Sequence, residues 1–188
     1  MTLPHFLDFE ASSLGVDSYP TEVAWSMEYG SIESHLIDPF CVEEWTDWSQ
    51  KAQALTGISR EMLREQGRDP AWICGRMNEV LAGRMLYCDG LPYDRFWLSA
   101  LYEHSRSGPP AFALGDCDVL WRKSLGMRSR PSLTEIMLDY RADLVKIDAA
   151  KTIAGQIMER MGIPLHRAGN DVQLHIETHR LLMDGRVA

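Results

Sequence analysis

Two carboxylates stand two residues apart at the end of an apolar run, where Leu7-Asp8-Phe9-Glu10 closes the stretch 3–7. In a buried strand, Asp8 and Glu10 project from the same face. Like charges held side by side repel, and each raises the other's pKa unless a cation lies between them. A divalent metal ion with hard oxygen ligands is the chemistry such a pair suits. A hydrolytic metal site needs further oxygen ligands and a proton acceptor, and two later segments offer them. Asp94 opens the helix that follows the short apolar run Met85–Cys88. The run His166-Arg167-Ala168-Gly169-Asn170-Asp171 puts a histidine in the loop after Pro164 and an aspartate near the start of the last helix. An imidazole suits the proton-accepting role because it titrates near neutrality.

The elements that must position these groups read in chain order. Residues 3–7, 21–27 and 32–37 alternate or cluster apolar side chains between turn-rich segments, which predicts a three-stranded meander. From Glu43-Glu44 the spacing of Trp45, Trp48, Ala52 and Leu55 predicts a helix, interrupted at Thr56-Gly57-Ile58-Ser59. Ser59 caps a short helix, and 70–82 forms another with Ile73, Met77 and Leu81 on its apolar face. Met85–Cys88 is a central strand, 93–102 a helix and 111–114 a last strand. Helices then fill 117–125, 132–145, 149–161 and 168–183, with Gly162-Ile163-Pro164 breaking the third from the fourth. This order implies an α/β fold: a mixed sheet flanked by helices, with a helical C-terminal part.

Composition bounds the function. With 188 residues, 45% of them apolar and 24% charged, the chain is expected to form one domain, 1–188, with a sizeable core. A net charge of −8 argues against a protein that grips a long duplex through a broad basic surface, but not against an enzyme that holds one chain end through metal ions. Cys41, Cys74, Cys88 and Cys117 form no C-x-x-C pair and read as buried thiols in a reducing cytoplasm. No signal peptide opens the chain and no apolar run reaches membrane-spanning length, so a soluble cytoplasmic enzyme is expected.

Taken together, these segments resemble the DEDDh branch of the 3′-5′ exonuclease superfamily, which includes the proofreading subunit of bacterial replicative polymerase, ribonuclease T and oligoribonuclease. Asp8-Phe9-Glu10 running into Ala11-Ser12-Ser13-Leu14-Gly15 resembles the first motif, and Pro20-Thr21-Glu22-Val23 the second strand. Thr56-Gly57-Ile58-Ser59 resembles the Gly-Ile turn near the substrate end. Tyr93-Asp94 with Phe96 and Leu98 resembles the second motif, and His166 with Asp171 the H-x-x-x-x-D third motif. Each motif alone is weak; their order and placement over about residues 5–180 make them jointly specific.

The resemblance implies a ribonuclease H-like five-stranded sheet and a two-metal mechanism with Mg²⁺ or Mn²⁺. Asp8, Glu10, Asp94 and Asp171 would hold the ions and His166 would be the general base. Ala11, Ser12, Leu14, Ile58, Asp89 and Tyr93 would contact the substrate, with Leu14 and Ile58 wedged against the terminal base. The substrate implied is the 3′ end of single-stranded DNA or of a short RNA, cut to 5′-monophosphates, and several relatives are homodimers. One departure stands out. Asp89-Gly90 occupies the place of a His-Asn pair common in the family, so Asp89 is either a further carboxylate beside the ligands or a turn residue. A non-catalytic exonuclease-like module that binds a nucleic-acid end or a protein is the alternative function.

Other features carry two readings each. His175 and His179 lie one helical turn apart, as zinc ligands can, but without the H-E-x-x-H order of a metalloprotease. Arg122, Lys123, Arg128 and Arg130 beside Trp121 form either a solvated surface or a guide for a single strand. Trp45 and Trp48 are either core residues or stacking platforms.

Overall fold

The strongest strand signal, the alternation around Asp8, lies at the middle of the sheet. The computed structural model describes residues 3–105, 107–126 and 133–186. Strands β1 (His5–Ala11), β2 (Pro20–Ser26), β3 (Ile32–Leu36), β4 (Met85–Cys88) and β5 (Ala113–Asp116) form one sheet in the order β3-β2-β1-β4-β5. The first three strands are the expected antiparallel meander, with Phe9 opposite Val23 and Glu10 opposite Glu22. β4 then runs parallel to β1, and β5 parallel to β4. Crossovers between parallel strands need room for a helix. Here α3 (Pro70–Leu81) precedes β4, and α4 (Leu91–Ser105) links it to β5.

Period two divides β1 between two cores. Leu7 and Phe9 pack with Ile73, Met77 and Leu101 of α3 and α4. Phe6 faces the other way, into a core with Trp121 of α5 (Cys117–Ser124), Ile147 and Ala154 of α6 (Leu133–Arg160), and Val172 and Ile176 of α7 (Ala168–Met183). Asp8 and Glu10 share the parity of Phe6, so they emerge on the α7 side, where apolar packing ends. Two short helices, α1 (Gln50–Thr56) and α2 (Arg60–Gln66), each begin at a serine whose hydroxyl accepts an amide of the first turn. Gly57 closes α1 in the left-handed conformation that a side chain would strain.

Several sequence expectations change. The helix expected through Trp45 and Trp48 starts only at Gln50; Trp45 is instead buried in irregular chain, stacked on Tyr19 at 5.2 Å and 3°. The helices expected at 132–145 and 149–161 are one continuous helix, since 146–148 holds neither Gly nor Pro to stop it. The last strand is shifted to Ala113–Asp116. All four cysteines are free; three are buried as expected, and Cys41 is exposed. Among the described residues, no helix is long and apolar enough to cross a membrane.

Candidate active site

β1 delivers Asp8 and Glu10, and α7 crosses beside it to deliver Asp171. One carboxylate oxygen from each lies within 4.8 Å of the others. Asp94, in the first turn of α4, stands just outside that cluster at 2% exposure, and its Oδ2 has no hydrogen-bond partner among the described residues. Of the neighbouring charges it acts most strongly on Asp8.

The electrostatics are those of an acidic cluster that could hold a cation. Burial, reinforced by Asp94, Asp171 and Glu10, pushes the Asp8 carboxyl well above the ordinary range. Burial raises Glu10 to about 8, helped by Asp171 and Glu22, and burial raises Asp171 as well. Burial lifts Asp94 to about 6. Four carboxylates that resist ionising together are relieved by a multivalent cation. The orphaned Asp94 Oδ2 and the all-oxygen donor set fit Mg²⁺ or Mn²⁺.

His166 lies in the exposed loop between α6 and α7, in the left-handed conformation at φ 64°. Its backbone N–H donates to Asp171 Oδ2 at 2.9 Å, so one carboxylate both joins the cluster and holds the loop. A second clamp was not legible in the sequence. The Arg167 guanidinium donates twice to Glu22, at 2.9 and 2.7 Å, and Glu22 also accepts from the Ala168 N–H and the Ser34 hydroxyl. Glu22 thus ties β2 to the start of α7, next to His166. An inward glutamate in a strand otherwise buried throughout was the available signal. Its partner lies 145 residues away. Replacing Arg167 by Met leaves the buried Glu22 carboxylate without its cation. We expect a loss of about 3 kcal/mol, read as a fall of roughly 10 °C in thermal midpoint. Glu22→Gln in the same chain should return part of it.

A cleft of about 320 Å³ opens beside Glu10, lined by Ala11, Leu14, Ala52, Leu55, Thr56 and Trp97 among others. Of the expected substrate contacts, Ala11 and Leu14 face it, Leu14 being 72% exposed. Ile58 does not line it: that side chain is buried in the interior, and Leu55, one turn earlier, occupies the wall. Ser12 is also buried, its hydroxyl donating to Asp47 and accepting from the Tyr19 N–H. Tyr93 is exposed and stacks on Trp97. Asp89 pairs with Lys151 at 2.9 Å, so it is more than a turn residue.

His175 and His179 are both buried, and neither belongs to a metal-sized cluster of three among the described residues. Burial pulls His175 down to about 4, leaving its ring neutral at physiological pH. Of the basic cluster, Arg122 and Lys123 lie on α5, with Arg122 over the Tyr140 ring; Arg128 and Arg130 fall outside the described residues.

No family model matches this chain, and no curated protein matches it. Solved structures do. The zinc-bound complex of Escherichia coli exonuclease I with single-stranded DNA aligns at TM-score 0.62 and 16% identity, over 98% of this chain and 41% of that one. The moderately thermophilic exonuclease I of Methylocaldum szegediense aligns at TM-score 0.62 and 17% identity, over 98% and 41%. A further exonuclease I structure aligns at TM-score 0.62 and 15% identity, over 100% and 42%. The chain spans about two fifths of the length of these proteins and has the fold of that part.

Proposed function

We propose that this chain is a metal-dependent 3′-5′ exonuclease that removes nucleotides from single-stranded DNA or short RNA as 5′-monophosphates. The observation that carries the reading is the convergence of Asp8, Glu10, Asp94 and Asp171 with the His166 loop at one end of the sheet, beside an apolar cleft. The shared fold with exonuclease I, in structures that include single-stranded DNA, adds to it. Two Mg²⁺ or Mn²⁺ ions held by the four carboxylates would supply a Lewis acid for the phosphodiester and its attacking water.

The protein's own groups do the rest. Leu14 and Leu55 receive the terminal base in the cleft next to Glu10, excluding water from one side of the scissile bond. The His166 imidazole accepts the proton of the attacking water. Its loop is held by Asp171 and, through Arg167, by Glu22, so the base sits at a fixed distance from the carboxylates. On the same reading, residues 1–188 make one exonuclease-like domain working in a reducing cytoplasm, which four free cysteines suit.

Single strands of DNA and of RNA, labelled at either end and incubated with Mg²⁺, Mn²⁺ or EDTA, test this directly. A 5′ label should give a ladder shortening from the 3′ end, a 3′ label should appear at once as a mononucleotide, and EDTA should stop both. If every strand stays intact with either metal, the chain is a non-catalytic module and the proposal fails.

A further inference from the structure

His175 is four residues beyond Asp171, so α7 presents one member of the carboxylate cluster and, one turn later, a ring behind another. The ring is enclosed, with Phe6 and Trp121 at centroid distances of 6.0 and 6.2 Å and only 4% of the residue exposed. Its Nε2 has no hydrogen-bond partner among the described residues, and it stands 4.0 Å from Asp8 Oδ1. A buried ring nitrogen without a partner is costly. Its lone pair facing a carboxylate would add repulsion, whereas an N–H facing it would attract. Lys151 and Asp89, the other charged groups acting on this ring, are paired with each other, which leaves Asp8 as the open acceptor.

We propose that His175 is a positioning residue of the metal site: its imidazole carries a proton on Nε2 and donates that N–H to Asp8, fixing the rotamer in which Asp8 meets the cation. Moving from 4.0 Å to hydrogen-bond range takes a shift of about 1 Å, within the reach of one carboxylate rotation. The inference rests on the preceding reading of the carboxylates as metal ligands. It concerns a residue that the motifs do not include and whose zinc reading the geometry does not support. Groups that hydrogen-bond to metal ligands typically change metal affinity 10- to 100-fold when lost.

The test is Mn²⁺ binding to the full chain without nucleic acid, followed by calorimetry or spin resonance, for the unaltered protein, His175→Leu and His175→Gln. Leu should weaken Mn²⁺ binding about 10- to 100-fold, while Gln, which keeps a donor, should stay within about 3-fold. Long-range ¹H–¹⁵N spectra of the unaltered protein should show His175 as the Nε2–H tautomer, with that resonance moving when Mg²⁺ is added. This second measurement decides the matter if the Leu variant does not fold. Equal Mn²⁺ affinity in all three proteins, or an Nδ1–H tautomer, overturns the positioning role and leaves the nuclease reading standing. An unaltered chain that binds no Mn²⁺ overturns both.

Discussion

Asp8→Asn should abolish nuclease activity and at the same time stabilise the metal-free protein at alkaline pH. The activity loss follows from removing one of the three clustered carboxylates. Metal-derived charge stabilisation is worth several kcal/mol, so kcat should fall by about a thousandfold or more. The gain in stability follows from the same geometry. Without a cation, Asp8 is a buried anion repelled by Asp94, Asp171 and Glu10, and the amide keeps its shape while removing that repulsion.

The pH dependence has a definite sign. A folded-state pKa raised above the unfolded value contributes stability that is complete below the unfolded pKa and disappears as pH rises through the folded one. For Glu10 those limits are 4.5 and about 8. Metal-free protein should therefore lose stability between pH 5.5 and 8.5, by on the order of 2 kcal/mol after allowance for the partial exposure of the site. Mg²⁺ should restore most of that loss at pH 8.5 and little at pH 5.5, and Asp8→Asn should reduce both dependences by the share that Asp8's own raised carboxyl adds to Glu10's. Thermal melts at the two pH values, with Mg²⁺ or EDTA, measure all of this. A variant equally destabilised under all four conditions would show that Asp8 is a packing residue and not part of a cation site.

The parts of this site that were legible in the sequence are those set by local periodicity. Period two placed Asp8 and Glu10 on one face of β1, and strand-to-helix punctuation placed Asp94 at the start of α4. The Pro164 break put His166 in a loop and Asp171 on a helix. The antiparallel meander followed from three short apolar runs with turns between them. What was not legible depends on contacts that sequence spacing does not encode. Trp45 and Trp48 have helical spacing, yet Trp45 is held by stacking on Tyr19 of a different segment, while Ser49 delays the helix by capping it. Ile58 fits the position of a base wedge by motif, but the turn at Gly57 directs it inward and gives the cleft wall to Leu55. Glu22 and Arg167, like Asp89 and Lys151, are ion pairs between residues 145 and 62 apart, so neither half announces the other. His175 reads as a possible zinc ligand from its spacing to His179, and only the approach of α7 to β1 turns it toward Asp8.

His166→Gly should produce a protein that is more stable than the original and nearly inactive. A non-glycine residue at φ 64° carries backbone strain that glycine does not. The side chain itself is exposed, so little packing is lost by deleting it. The hydrogen bond that holds this turn comes from the backbone N–H to Asp171, and glycine keeps that donor. Stability should rise by about 1 kcal/mol, seen as a thermal midpoint a few degrees higher. Loss of a general base should lower kcat by about 10²- to 10⁴-fold. Mn²⁺ affinity should stay nearly unchanged, because His166 is not among the clustered carboxylates. His166→Ala should lose the same activity without gaining the stability, since alanine retains the strain. Added imidazole should restore part of the rate to the glycine variant, whose deleted ring leaves an opening at the loop. Strain at this position is then the cost of presenting a base at the edge of the carboxylates. A glycine variant that is less stable and binds Mn²⁺ poorly would instead make His166 part of the scaffold and leave the attacking water without its proton acceptor.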